Sequence, residues 1–224
     1  MDNQKISVII RVKNEEAYIG FCIQSILDTF EDVQIIIVNN NSTDNTLEII
    51  NHFKKDISLN SNDKRYCEID VINIDHYTPG KALNMGVMKS KNKYILIISA
   101  HCKIIKFNTK KTFEILNKEK VLFGNQIPIW NGKRIKKRYI WSNFGSVKKT
   151  NYFSKQENRY FLHNAFSFFT KKILLQHPFN ENLISKEDRY WANNYINLRK
   201  NIVYAPFNTV EHYYTYNGAT WKNL

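Results

Sequence analysis

The order of apolar and polar residues predicts an α/β domain with a mostly parallel central sheet and helices on both faces. Three observations carry this expectation. Short, nearly all-apolar runs rich in Ile and Val recur through the first hundred residues, as strands buried on both faces require. Segments with helical periodicity separate them, and strands that alternate with helices join through right-handed crossovers into a parallel sheet. The chain has 224 residues, 43% of them hydrophobic. That suits one globular domain able to bury most of its surface and argues against disorder.

Taken in order, Ile6 to Val12 is the first strand. Asn14 offers a helix cap, with Glu15 and Glu16 in the first turn, where acidic side chains suit the helix dipole. Tyr18, Ile19, Cys22, Ile23, Ile26 and Leu27 keep the spacing of one helical face. Gln34 to Val38 is the second strand. Ser42 and Asp44 are candidate caps for a helix carrying Leu47, Ile49, Ile50 and Phe53. Ile69 to Ile74 reads as a third strand and Lys81 to Ser90 as a helix, with Pro79-Gly80 as the turn between them. Tyr94 to Ile98 is a fourth strand, ending in the polar cluster Ser99-Ala100-His101.

The second half is more irregular and more aromatic. Val121 to Gln126 is strand-like, Glu187 to Leu198 carries Trp191, Ala192, Tyr195 and Leu198 on one helical face, and Ile202 to Ala205 is a last strand before Val210-Glu211-His212-Tyr213. No internal repeat or low-complexity linker marks a domain boundary. One domain over residues 1–224 is expected, with residues 1–104 and 105–224 as its two halves.

Lys and Arg number 33 against 20 Asp and Glu, a formal net charge of +13 with a pI near 9.5. That balance favours anionic partners. Basic residues crowd one segment, Lys133, Arg134, Lys136, Lys137, Arg138, Lys148 and Lys149, interleaved with Trp130, Tyr139, Trp141, Phe144, Tyr152 and Phe153. A solvated loop and an anionic-membrane or substrate-facing surface are both consistent with it. Nucleic acid is not the expected partner, because recognition-helix, RNP-like and zinc-binding patterns are missing. Cys22, Cys67 and Cys102 have no metal-like spacing and read as reduced thiols of a cytosolic protein. A signal-peptide pattern and an apolar run long enough to span a bilayer are not seen.

Ligands of open parallel sheets bind beyond the carboxyl ends of the strands. That rule selects Arg11, Lys13, Asn39, Asn40, Asn41, Lys81, Ser99 and His101. The seven glycines form neither a Walker loop nor a dinucleotide fingerprint, so any nucleotide must be held by other residues.

The segment Ile35-Ile36-Ile37-Val38-Asn39-Asn40-Asn41-Ser42-Thr43-Asp44 resembles the strand, acidic pair and Gly-Ser-Thr-Asp-like turn of the family 2 glycosyltransferases. Val8-Ile9-Ile10-Arg11-Val12-Lys13-Asn14-Glu15-Glu16 is similar to that family's opening strand and Asn-Glu helix start. Pro79-Gly80-Lys81-Ala82-Leu83-Asn84-Met85-Gly86 resembles its Ala-x-Asn-x-Gly helix. Pro178-Phe179-Asn180-Glu181 and Glu187-Asp188-Arg189-Tyr190-Trp191 resemble its Phe-Asp-Glu and Glu-Asp-x-x-Trp signatures, and His212 falls at its C-terminal histidine. These pieces come in the family's order and cover nearly the whole chain. The chain departs from the pattern at three places. Asn39 and Asn40 replace the paired aspartates, Ser99-Ala100-His101 replaces Asp-x-Asp, and Arg11 replaces a proline.

The resemblance implies a GT-A-like domain with a nucleotide-sugar half and an acceptor half. It implies inverting transfer of a sugar to a hydroxyl of a bacterial surface glycan or its lipid-linked form, on the cytoplasmic side of the membrane. Inverting transfer needs a carboxylate to take the acceptor proton and charge to stabilise the leaving phosphate. Asp188 is the expected base, with a helix N-cap as its plain structural alternative. Arg11, Lys13, Glu15, Asn39, Asn40, Lys81, Ser99, Ala100 and His101 are expected at the donor, and Glu187, Trp191, His163 and Asn164 at the acceptor. Lys81, Arg11 and His212 are candidates for the leaving-group charge. His101 and His212 could hold manganese or magnesium, but loss of the two aspartates and the spare positive charge tilt the expectation toward metal independence. A relative that kept the fold as a sugar- or nucleotide-binding module is the rival reading, against which Glu187-Asp188 speaks.

Overall fold

The computed structural model describes residues 4–59, 67–135, 144–155 and 157–215. Its strands are β1 (Ile6–Val12), β2 (Val33–Asn39), β3 (Cys67–Asn73), β4 (Tyr94–Ser99), β5 (Cys102–Lys106), β6 (Val121–Trp130), β7 (Lys133–Arg134), β8 (Lys149–Thr150), β9 (Phe153–Ser154), β10 (Arg159–Tyr160), β11 (Phe166–Thr170) and β12 (Val203–Tyr213). Its helices are α1 (Ile19–Thr29), α2 (Thr46–Leu59), α3 (Pro79–Lys89), α4 (Thr109–Glu119), α5 (Lys171–Gln176) and α6 (Glu187–Asn197). The main sheet runs β3-β2-β1-β4-β11-β6-β12-β5, with β7 and β8 attached at β6 and β12. Strands β3, β2, β1 and β4 are parallel, as expected. The second half adds β11 antiparallel between β4 and β6, and β12 parallel to β6.

Successive strand side chains face opposite sides of a sheet, and the all-apolar strands fill two cores. Val8, Ile10, Ile35 and Ile37 pack with Cys22, Ile23 and Ile26 of α1, Ile50 of α2, and Phe113 and Leu116 of α4. On the other face Ile9, Ile36, Val38, Ile95 and Ile97 meet Ala82, Leu83 and Val87 of α3, Leu174 of α5, and Trp191, Ala192 and Tyr195 of α6. Among the described residues no helix is long and apolar enough to cross a membrane.

Three local expectations need correction. The first helix begins at Ile19, with no acidic residue in its first turn. Asn14 takes a left-handed backbone conformation at φ 55°, and the amides that would have headed a helix are used elsewhere. Asn14 N donates to Ser42 Oγ, Glu15 N to Thr46 Oγ1 at 2.7 Å, and Glu16 N to Asp44 Oδ2. The first two loops at the sheet edge are thereby tied together. Pro79-Gly80 is the first turn of α3 rather than a turn before it. Thr78 caps Lys81 N, and proline suits the first helical position because it has no amide hydrogen to leave unpaired. The final strand does not stop at Ala205. It continues through Tyr213 across a register shift between Ala205 and Thr209, where Pro206 cannot donate to a ladder.

Gly80 lets residues 178–181 lie against α3. A Cβ there would sit 2.3 Å from the Asn180 carbonyl oxygen. Asn84 fastens the same segment, donating to Phe179 O and accepting from Phe179 N. Gly80→Ala is therefore expected to cost about 1–3 kcal/mol of stability, the usual cost of overpacking against an unyielding neighbour. Urea denaturation checks it: a lower midpoint with unchanged slope is expected, and an unchanged midpoint would refute the tight contact.

Candidate active site

The parallel strands end side by side, Arg11 opposite Ser99, Val12 opposite Asn39, and Asn39 opposite Asn73. Into this edge the second half brings the start of α6, the residues before β11 and the end of β12. Arg11 Nη1 meets Glu187 Oε1 at 2.9 Å. Asn164 Nδ2 donates to the same oxygen at 3.2 Å, and Ser167 Oγ donates to Asn164 Oδ1. Glu187, Asn164 and Ser167 are buried. Burial pulls the Arg11 pKa down, but the charges of Glu187, Tyr77 and Asp188 outweigh it and hold the guanidinium above its ordinary value. Arg11 is thus bound to a carboxylate, which neutralises it.

Asp188 follows Glu187 in the first turn of α6. The cap position belongs to Lys186, in the left-handed region at φ 64°, so Asp188 is not the helix N-cap; its Oδ1 accepts from Arg189 N at 2.8 Å. Burial, and next the charge of Glu187, push the Asp188 pKa up to about 6, against the opposing pull of Arg159 and Arg189. Arg159 is itself nearly enclosed and pairs with Glu157 at 2.8 Å, while Arg189 Nη1 lies 3.4 Å from the same Glu157 oxygen. Sequence reasoning missed Arg159 and Glu157, which stand in a polar stretch with no periodicity.

Beside this lies a stacked histidine pair. The His101 and His212 rings have centroids 4.9 Å apart and planes 19° apart. His212 Nδ1 lies 2.7 Å from Gln126 Oε1 and His101 Nδ1 lies 3.0 Å from Glu15 Oε1. Both partners are oxygen acceptors, so each Nδ1 carries the proton and, in a neutral ring, Nε2 carries the lone pair. Burial, with His101 and His163 adding to it, drives the His212 pKa well below its usual value, so this ring is neutral. Glu15 Oε2 is buried without a hydrogen-bond partner among the described residues.

The remaining expected residues divide. Ser99 and Ala100 sit at the edge as expected, with the Ser99 amide bonded to Ala165 O. Lys13 is exposed and Asn40 half-buried. Lys81 Nζ donates to the Asp75 carbonyl at 2.9 Å. Asn39 is buried and satisfied at both ends of its amide, taking Ser42 N at 3.0 Å and giving to Asn73 Oδ1 at 2.9 Å. Trp191 is placed in the core: 5% exposed, it donates to His177 O and packs against Phe169, Phe179 and Tyr195. His163 is enclosed among Phe123, Phe144 and Phe161, and burial first, then Arg159 and Arg189, lower its pKa well below the ordinary value.

Of the basic-aromatic segment, Lys136, Lys137, Arg138, Tyr139 and Trp141 lie outside the described residues. Lys133, Arg134, Lys148 and Lys149 are exposed, and so are Trp130 and Phe153. Phe144 is not a surface residue. It packs in the core with Phe123, Phe161, Tyr152 and Tyr204.

The α/β sheet, with Asp188 and the Arg11–Glu187 pair at the ends of its parallel strands, has GT-A-like architecture. The chain belongs to glycosyl transferase family 2, whose family model matches residues 7–177. It is 33% identical over 101 residues to a poly(ribitol-phosphate) beta-glucosyltransferase of Bacillus spizizenii, covering 43% of this chain and 14% of that one. It is 30% identical over 127 residues to the glycosyltransferase GlyG of Streptococcus pneumoniae, covering 55% and 39%. The chain therefore spans well under half the length of these relatives. Among solved structures it resembles Staphylococcus aureus TarS residues 1–349 in complex with UDP-GlcNAc, with a TM-score of 0.68 at 18% identity over 99% of this chain and 62% of that one. GalNAc-T7 with UDP, GalNAc and manganese gives a TM-score of 0.70 at 13% identity, over 97% and 45%.

Proposed function

We propose that this protein is an inverting glycosyltransferase that moves a sugar from a nucleotide-activated donor to a hydroxyl of a bacterial surface glycan or its lipid-linked precursor, working at the cytoplasmic face of the membrane. The observation that carries the reading is Asp188, a carboxylate of raised pKa at the start of α6, next to the Arg11–Glu187 pair. The family membership and a relative named for a poly(ribitol-phosphate) acceptor support it, as do structural neighbours that hold UDP-GlcNAc or UDP. Asp188 takes the proton of the acceptor hydroxyl as its oxygen bonds to the anomeric carbon from the side opposite the phosphate. The bond to the phosphate oxygen breaks with its electron pair going to the leaving nucleotide, and the anomeric configuration inverts. Asn164 and Arg11 fix Glu187, and through it the first turn of α6 that carries the base.

The leaving phosphate needs positive charge. Near the edge Arg11 is paired with the Glu187 carboxylate and burial keeps His212 neutral, while Lys81 donates to a neutral carbonyl and Lys13 is exposed. We therefore set a metal-assisted reading beside the metal independence expected from the sequence. His101 and His212, each with its Nδ1 facing an oxygen acceptor, are the residues that would hold a divalent ion, and a carboxylate bonded to the ring of a metal ligand is a common supporting arrangement. Such an ion would supply positive charge to the leaving phosphate. Activity is expected to vanish in excess EDTA and return with manganese. Full activity in EDTA would restore the charge-replacement reading.

The base also sets a pH dependence. Asp188 works only when ionised, so kcat/KM should rise with pH through about 6 and level off above it. Stability runs the other way. A carboxyl with a raised folded pKa contributes stability that is present below its unfolded value near 4 and lost as pH rises through about 6. A pH–rate profile with its acid limb near 4 would remove the raised base from the mechanism.

Donor binding tests the function itself. A ligand that binds the native state alone stabilises it by about 2.7 kcal/mol at a hundred times its Kd. A panel of nucleotide sugars with manganese should contain one that raises Tm. No shift across uridine, thymidine, guanosine and cytidine donors would count against the reading.

A further inference from the structure

An arginine is seldom enclosed, because a guanidinium taken out of water is costly unless its charge and its donors are matched. Arg159 opens β10 and is 5% exposed. Its Nε donates to Glu157 Oε2 at 2.8 Å and its Nη2 to Glu157 Oε1 at 3.3 Å, the two-pronged fit of a guanidinium to a carboxylate. Its Nη1 reaches the Tyr160 carbonyl, and the guanidinium lies 5.0 Å from the centre of the Phe161 ring. Glu157 Oε2 is shared, since Arg189 Nη1 of α6 lies 3.4 Å from it. One helical turn on, Asn193 accepts the Tyr160 amide at 3.1 Å. Arg189 and Asn193 share a face of α6, so the ribbon of β9 and β10 grips the helix at two levels. Arg11 and Asn164 hold the same first turn through Glu187. Asp188, between Glu187 and Arg189, is thus fixed from both sides.

We propose that Arg159 is a positioning residue for the transfer reaction: with Glu157 as the bridge, it holds the Arg189 side chain and the first turn of α6, and keeps net positive charge beside Asp188. This rests on the reading of Asp188 as the base. Glu157 lets the two guanidiniums stand together, which like charges would otherwise resist, and two cations against one anion leave the cluster positive. Asp188 faces Glu187 and Arg189 from its own helix, Arg159 from β10 and, through its charge, Arg11 from β1. Burial and Glu187 oppose its ionisation, whereas Arg159 and Arg189 favour it. Without those two cations the carboxyl would hold its proton to higher pH and spend less of its time able to accept one.

Titration of the Asp188 carboxyl by 13C NMR tests this with no substrate present, the signal being assigned by its loss in Asp188→Asn. Arg159→Gln should raise the titration midpoint by about one pH unit, the lower end of what a neighbouring opposite charge does. With a donor that the protein cleaves, nucleotide release should then fall about ten-fold at pH 5 and little at pH 8. Arg159→Lys, which keeps the charge and loses the fork, should titrate between the two. Arg189→Gln should shift the midpoint in the same direction. Its side chain is 28% exposed and the amide that Asp188 accepts is retained, so it decides the question should Arg159→Gln not fold. A cluster that only braces the fold would lower the urea midpoint in these variants and leave Asp188 titrating as in the unaltered protein. That result would overturn the proposal, as would a moved titration with an unmoved acid limb of release. Unchanged turnover in Asp188→Asn would instead remove the base, and this inference with it, so the two failures are distinct.

Discussion

Asp188→Asn is expected to lower turnover by about 10²–10⁴-fold, the usual contribution of a general base, while donor affinity stays within a few-fold. The asparagine keeps the size of the side chain and an oxygen for Arg189 N, so the first turn of α6 should persist. It removes a charge that burial and Glu187 both disfavour. The variant should therefore be at least as stable as the parent above pH 6, because the native state no longer holds an ionised group whose pKa is raised. Loss of activity together with unchanged or higher Tm separates catalysis from folding. A folded variant with unchanged turnover would remove Asp188 from the chemistry.

The second large effect is on stability. Arg11→Met leaves Glu187, nearly fully buried, with its charge uncompensated apart from Asn164. Breaking a buried pair from one side costs several kcal/mol, typically more than the net worth of the pair. With Arg11 part-exposed at 22%, a loss of about 3 kcal/mol is expected. Glu187→Gln introduced alongside should recover much of it, since a neutral amide needs no counter-charge. If the two substitutions simply add, the pair is not coupled and the bridge between the two halves of the sheet edge carries no energy. Such a cycle, read by urea denaturation at pH 7.5, also tests whether Arg11 serves α6 rather than the donor: a role through Glu187 should lower kcat more than it raises KM.

Much of this was legible in the residues. The β-branched runs Ile6 to Val12 and Gln34 to Val38 left little choice but buried parallel strands, and the structure has them. The Glu187-Asp188 pair was legible through its resemblance to the family's Glu-Asp-x-x-Trp signature, and Ser99-Ala100-His101 because it ends a buried strand. What the sequence hid depends on contacts between distant segments. The late start of α1 follows from Ser42, Asp44 and Thr46 capturing the amides of Asn14, Glu16 and Glu15, and local propensity has no knowledge of them. The short strand β5 and helix α4 carry many lysines and weak apolar patterns, Lys103, Lys106, Lys110 and Lys111 among them, so periodicity passed over them. Trp191 was expected at the acceptor from its place in a motif, whereas the three aromatics that enclose it come from β11, the segment before α6 and the next turn of its own helix. Arg159 and Glu157 became visible only once β10 was set beside α6, where Asn193 accepts the Tyr160 amide.

The central claim is that this sheet edge catalyses sugar transfer with Asp188 as its base. Its most direct test is release of nucleotide from a panel of nucleotide sugars, followed by chromatography with manganese present and compared between the unaltered protein and Asp188→Asn. Transfer to water alone suffices, so the natural acceptor is not required. At least one donor should be cleaved by the unaltered protein, and cleavage should fall about 10²–10⁴-fold in the variant although the same donor still raises its Tm. A donor that stabilises both proteins and is cleaved by neither would contradict the account and mark the fold as a binding module.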